Sequence, residues 1–281
     1  MAKPSGYYVL AFTGDWHTNS SVGLNPPVFH REMESKYMPG KVGRAVWRNW
    51  RDFWKVVDGK KKQYRARLIS FCNGDLGDKN KHSAVQLISN NDTEIQDAMA
   101  AVADVPASIS DDVFVIRGTA AHTGDNGKLE EWLAQDLDNS VWYGDKVASW
   151  WMADPVIAGL RLLVAHHPPT SSKVPWTLDQ AVSRAASQVA VRCMEDGAPV
   201  PDVCVWSHTH PPRLAQGRGL MGVWGFFLPP WQLRTGYSYR IGQSFGRPAI
   251  GGLWMVVKNG SVVEWEAEHF RPGGRRPWIA P

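Results

Sequence analysis

Five apolar segments run straight into residues that carry charge or bind metals: Tyr7 to Thr13, Arg67 to Asn73, Val113 to Arg117, Arg161 to Ala165 and Val203 to Trp206. The first ends in Gly14-Asp15-Trp16-His17 and the second in Asn73-Gly74-Asp75-Leu76-Gly77-Asp78. The third ends in Arg117-Gly118-Thr119-Ala120-Ala121-His122, the fourth in His166-His167-Pro168-Pro169 and the fifth in Ser207-His208-Thr209-His210. Several of the segments are continuous apolar runs rather than alternating ones, the pattern of strands covered on both faces. Between them, Val46, Trp47, Trp50, Phe53, Trp54 and Val57 recur at helical spacing, as do Leu178, Ala181, Val182, Ala185 and Val189. Asn91 to Ala103 and Lys128 to Leu137 add two further helical patterns. Strands alternating with helices predict an α/β sheet core, in which the carboxyl ends of the strands open into one crevice. Six of the nine histidines fall at these five points, a placement that solvated loop histidines would not adopt so consistently.

The remaining texture bounds the rest of the molecule. After about residue 212 glycines, aromatics and strand-like runs take over, and Lys258-Asn259-Gly260 between Leu253–Val257 and Val262–Glu266 is a hairpin signal. The aromatic run Trp224 to Trp231 reads first as core, then as a substrate wall, then as an interface. No internal repeat is present. A single domain over residues 1–270 follows, with a basic helical insertion at about 38–66 and a loosely ordered tail at 271–281. At 43% hydrophobic and 21% charged residues a collagenous, disordered or low-complexity chain is excluded. The 15 tryptophans against 9 Phe and 7 Tyr suggest rings lining grooves or lying under loops. Apolar runs such as Leu160 to Ala165 are far shorter than the roughly 20 residues of a membrane helix, so no membrane association is expected. The first residues lack the pattern of a secretory signal, which points to a cytoplasmic protein. Cys72, Cys193 and Cys204 are odd in number and widely spaced, so they are expected to be reduced and buried.

Carboxylates and imidazoles without thiolates suit Mn²⁺, Fe or Zn²⁺ better than Ca²⁺ or a structural zinc. The inventory is large enough for two ions, and two ions about 3.5–4 Å apart need a bridging carboxylate, for which Asp75 is the natural residue. His208 and His210 are alternate residues of an extended segment, so both can reach one side.

In order and content these blocks resemble the calcineurin-like metallophosphoesterases, whose pattern is D-x-H, G-D-x-x-D, G-N-H-E/D, a lone His and G-H-x-H; the resemblance covers roughly residues 7 to 212. It implies a four-layer αββα sandwich of two mixed β-sheets flanked by helices. It also implies one divalent ion on Asp15, His17, Asp75 and His210, and a second on Asp75, His166 and His208. Mn²⁺ is the first choice, with Fe, Zn²⁺ or Ni²⁺ as alternatives. His166 is preferred to His167 because the family's ligand stands two before the proline, which leaves His167 a supporting role, as for Asp78. The third block departs from the family: Gly118-Thr119-Ala120 replaces Gly-Asn-His, with His122 displaced by two. Thr119 then takes the place of the asparagine ligand, and His122 that of the histidine that protonates the leaving group. The Gly-Thr-x-x-His form resembles a phage or prophage branch. The implied activity is hydrolysis of a phosphate ester through a metal-bridging hydroxide, in a phosphodiesterase with a nucleotide-like substrate. A nuclease acting on DNA or RNA and a non-catalytic binding module are the alternatives.

From Lys41 to Arg67 ten basic residues accompany two acidic ones, in a chain whose whole net charge is +4. On a helix Arg44, Arg48, Arg51 and Lys55 form one stripe opposite the tryptophans, so the first three are candidate substrate-binding residues that attract a polyanion. Gly242-Gln243-Ser244-Phe245-Gly246 spells a serine-hydrolase elbow, but Pro248 and Gly251-Gly252 follow where a helix is required.

Overall fold

The computed structural model describes residues 6–31, 35–79, 86–171, 177–235 and 249–271. Most of the expected tail and the Gly242 to Gly246 motif lie outside the described residues. In chain order the elements are β1 (Tyr8–Thr13), β2 (Phe29–His30), β3 (Lys36–Tyr37), α1 (Lys41–Tyr64), β4 (Arg67–Asn73), α2 (Asp92–Ala107) and β5 (Asp112–Ile116). There follow α3 (Ala120–Thr123), α4 (Lys128–Asp136), β6 (Met152–Ala153), β7 (Val156–Ile157), β8 (Leu160–Ala165), α5 (Leu178–Glu195) and β9 (Val203–Trp206). The chain closes with β10 (Ala215–Arg218), β11 (Trp224–Phe227), β12 (Ile250–Lys258) and β13 (Ser261–Phe270).

Two mixed sheets carry the molecule. The first has the order β13-β12-β1-β4-β5, with β1, β4 and β5 parallel and β12 antiparallel to β1. The second has the order β10-β11-β9-β8-β6, with β8, β9 and β11 parallel and β10 and β6 antiparallel at its edges. Alternation along each strand sorts side chains between two faces. Leu10 and Phe12 of β1, with Ile69 and Phe71 of β4, face the second sheet and meet Leu162, Val164, Val205 and Phe226. Val9, Ala11, Leu68 and Cys72 point the other way into α1, α2 and α4. On the far side, Ala181, Val182, Ala185 and Ala186 of α5 cover Cys204, Trp206 and Phe227. The order of layers is therefore helix, sheet, sheet, helix, as the family resemblance implied.

The segment at about 38–66, read from its charge as an insertion, forms α1, the crossover between β1 and β4. Its face of Val46, Trp50, Phe53, Trp54 and Val57 is buried against the first sheet. Trp50 meets Trp16 and Trp231 edge-on, with ring centroids 5.2 and 4.8 Å apart, so tryptophans lie under the loops of the strand ends. The run Trp224 to Trp231 contributes Phe226, Phe227, Leu228 and Trp231 to the core. Cys72 and Cys204 are buried and free as expected; Cys193, on the flank of α5, is only partly covered. No helix among the described residues is long and apolar enough to cross a membrane.

Candidate metal centre

The loops after β1, β4 and β5 meet those after β8 and β9, and the chemistry-bearing side chains converge there. Asp15, His17, Asp75, Asp78 and His166 are all at most 1% exposed. The backbone bends sharply to place them. Asp15, His17, Asp75, His208 and His210 all have positive φ, between 45° and 66°, a region that non-glycine residues enter at a cost of order 1–3 kcal/mol each. Cross-links hold those bends: Asp15 N–H donates to the Gly74 carbonyl at 2.9 Å, His17 N–H to the Asp75 carbonyl at 2.9 Å and Trp231 N–H to the Asp15 carbonyl at 3.0 Å. Trp16, between two of the bent residues, is wholly buried and anchors the first loop in the core. Gly74 has φ +73°, and a Cβ there would overlap the His166 ring; at Gly118 a Cβ would overlap Asp75.

One group of donors is Asp15, His17 and His210. His210 Nε2 lies 3.2 Å from Asp15 Oδ1 and 3.1 Å from His17 Nε2. A second group is Asp15, Asp75 and His166, with His166 Nε2 at 3.1 Å from Asp75 Oδ2. A third is His166, His167 and His208. Asp15 Oδ1 is buried and accepts no hydrogen bond, yet it stands 4.0 Å from the Nε2 atoms of both His17 and His166 as well as 3.2 Å from that of His210. A carboxylate oxygen ringed by imidazole nitrogens is what a divalent cation satisfies, so these residues fit the ions that the sequence implied.

The outer contacts orient these donors. His166 Nδ1 lies 2.9 Å from the Asn73 carbonyl, and Asn73 Nδ2 donates to the Ala165 carbonyl at 3.1 Å, tying the two sheets together under the site. Asp78 contacts both His17 Nδ1 at 3.5 Å and His122 Nδ1 at 3.1 Å. The short helix α3 thus brings the displaced His122 back to the centre, where its ring stands 4.4 Å from that of His17. Thr119 donates to Asp75 through its N–H at 2.6 Å and its hydroxyl at 2.9 Å, so it orients this carboxylate.

Electrostatics sort the groups by protonation. Burial alone would push the Asp15 and Asp75 carboxyls up, but neighbouring imidazoles outweigh it: His210 and His166 hold Asp15 below the ordinary value, and His166 and His17 hold Asp75 well below. Asp78 is buried too, yet His122 and His17 bring it down to about 2. Burial lowers His17 and His167, and burial with the nearby His166 takes His208 to about 4, leaving these imidazoles neutral with lone pairs to offer. His166 goes the other way despite its burial, to about 9, because Asp75 and Asp15 face it.

Arg44, Arg48 and Arg51 lie on the exposed face of α1, opposite Trp50 and Trp54. Among the described residues no hydrogen bond or ion pair joins them to the centre, and Arg44 donates to the Pro39 carbonyl at 2.9 Å. Sequence reasoning gave no role to Asn73 and missed Glu130. Glu130 is fully buried on α4 and accepts from the Leu76 N–H at 3.2 Å, directly behind Asp75. Its signal was present: with Leu129, Leu133 and Ala134 it falls on the buried stripe of the helix, where a charge is out of place.

Fold and site together define a four-layer α/β/β/α protein with a His- and Asp-lined candidate metal centre at its strand ends. No protein-family model and no curated protein matches the chain. Among solved structures it is similar to wild-type Vps29 from Entamoeba histolytica complexed with Zn²⁺, at 12% identity over 94% of this chain and 99% of that one, with a TM-score of 0.41. None of these comparisons bears on a phage branch.

Proposed function

We propose that the protein is a metal-dependent phosphoesterase, and that its substrate is a nucleotide-like phosphodiester. The observation that carries the reading is the buried, hydrogen-bond-free Asp15 Oδ1 among three imidazole nitrogens, with Asp75 Oδ2 nearby at 3.1 Å from His166 Nε2. Asp15, His17, His210 and Asp75 would hold one ion, and Asp75, His166 and His208 the other. Bound there, such a pair would supply Lewis acidity toward phosphoryl oxygens and lower the pKa of water, and Mn²⁺ is our first choice for the site of Asp15, His17 and His210.

The chain's own residues do the remaining work. Thr119 fixes the Asp75 carboxylate, which lets it serve both sites in one orientation. His122 is raised above its ordinary value, because Asp78 and Asp75 outweigh its burial, which favours its protonated form. Asp78 holds its Nδ1, and a ring 31% exposed can deliver a proton to a departing alcohol from Nε2. The Arg44, Arg48 and Arg51 stripe raises the local concentration of anionic substrate from a distance rather than by contact.

The test is hydrolysis of bis(p-nitrophenyl) phosphate by metal-free protein after addition of Mn²⁺, then of Zn²⁺, Fe²⁺ or Ni²⁺, with Asp75→Asn as control. Metal-dependent turnover that falls to background in Asp75→Asn is the expected result. No turnover with any of the four metals, in a chain that still binds them, would overturn the catalytic reading in favour of a binding module.

A further inference from the structure

We propose that His167 is a metal ligand: with His166 and His208 it forms a three-imidazole face that, closed by Asp75, makes the second ion site selective for Zn²⁺ over Mn²⁺. The inference rests on the two-ion reading above and adds to it a ligand and a preference. The sequence put Thr119 in the ligand set and gave His167 a supporting role, whereas the geometry points to His167 as a ligand. The N–H and hydroxyl of Thr119 are committed to Asp75, at 2.6 and 2.9 Å. The ring of His167 lies 4.2 Å from that of His208 and 4.9 Å from that of His166, centroid to centroid, and one nitrogen from each of the three falls within 4.8 Å of the others.

The His166 ring is held from behind, and the backbones of His167 and His208 are constrained. His166 Nδ1 faces the Asn73 carbonyl at 2.9 Å, which directs Nε2 toward Asp75 Oδ2 at 3.1 Å. His208 is set by its N–H, which donates to Asp15 Oδ2 at 3.0 Å, and by its positive φ of 66°. His167 precedes Pro168, which restricts its backbone to extended conformations. The two sites therefore differ in chemistry. On one side Asp15 meets two imidazoles, His17 and His210, and also lies within reach of Asp75. On the other, three imidazoles, His166, His167 and His208, come together, with Asp75 Oδ2 3.1 Å from His166 Nε2. Imidazole-rich, four-coordinate sets suit Zn²⁺, and oxygen-rich ones suit Mn²⁺.

The experiment titrates full-length, metal-free protein with Zn²⁺ and separately with Mn²⁺ by calorimetry, and counts the metal retained after desalting. Wild type, His167→Ala and His208→Ala are compared. Two Zn²⁺ per wild-type chain are expected; in His167→Ala the second should bind at least about tenfold more weakly, as in His208→Ala, with the first unchanged. The Co²⁺-loaded protein should also change its visible absorption when His167 is lost. His167 is exposed, so His167→Ala should keep the wild-type melting temperature without metal. Two Zn²⁺ bound equally well by wild type and His167→Ala, or a second Mn²⁺ bound by wild type as tightly as the second Zn²⁺, would overturn the inference and leave the two-ion reading standing. A wild-type chain that retains fewer than two ions would overturn both.

Discussion

In the half of the centre built from Asp15, His17, Asp78, His122 and His210, carboxylates are buried and each imidazole touches one, whereas the half built from His166, His167 and His208 opens to solvent with two of its rings exposed. The closed half hangs on Trp16, whose ring is locked against Trp50 and whose Nε1 donates to Thr13 Oγ1 at 3.2 Å. The open half hangs on the turn after β8 and the His208 bend. Burial in the first half buys rigidity, and with it a cost for every unsatisfied charge. Exposure in the second makes its residues individually replaceable.

The comparison can be broken most forcefully at Trp16. Trp16→Ala should cost about 3–5 kcal/mol of stability, read as a lower denaturation midpoint, and should remove metal binding by the closed half first. A variant of wild-type stability would mean that the loop is held by its backbone bonds alone. The next effect is at His122. His122→Ala should slow esters with alkyl leaving groups by about 10²–10⁴-fold and leave bis(p-nitrophenyl) phosphate nearly untouched, because p-nitrophenolate departs without a proton. Equal losses on both substrates would assign His122 to binding instead.

The smallest effect sharpens the contrast through pH. Burial, with Asp75 nearby, raises the Glu130 carboxyl from an ordinary 4.5 to about 7. Below pH 4.5 it is protonated in both folded and unfolded chains and costs nothing. Between 4.5 and 7 the unfolded chain ionises first, so stability falls, and above 7 the penalty is constant. Glu130→Gln should therefore melt like wild type near pH 4.5 and be more stable by about 1–3 kcal/mol above pH 7. A difference independent of pH would show that Glu130 is not the group that titrates.

What could be read in advance follows from periodicity. The five strands, the helical stripes and the Asn259-Gly260 hairpin were legible because apolar spacing maps onto a face, and the five polar blocks because each follows a strand directly. The backbone bends were not legible: Asp and His enter positive φ more often than most residues, but nothing in the sequence singles out Asp15, His17, Asp75, His208 and His210 as doing so. The convergence of His167 with His208 was hidden as well, since it depends on how two separate turns lie across the sheet. The two faces of α1 were legible too, since helical spacing puts Arg44, Arg48 and Arg51 on one stripe and the tryptophans on the opposite one. Glu130 was readable in principle, as a charge on an apolar stripe.

The place of β1 in the first sheet has a consequence for synthesis. Tyr8–Thr13 leaves the ribosome before both of its neighbours and soon finds β4 on one side, but the neighbour on the other side begins only at Ile250. Until then Val9 to Phe12 present an apolar strand edge with open backbone groups, a template for pairing with any other nascent chain. A chain stopped short of β12 should accumulate as aggregate while one that carries β12 and β13 stays dispersed, so this hairpin acts as the molecule's own stopper against self-association.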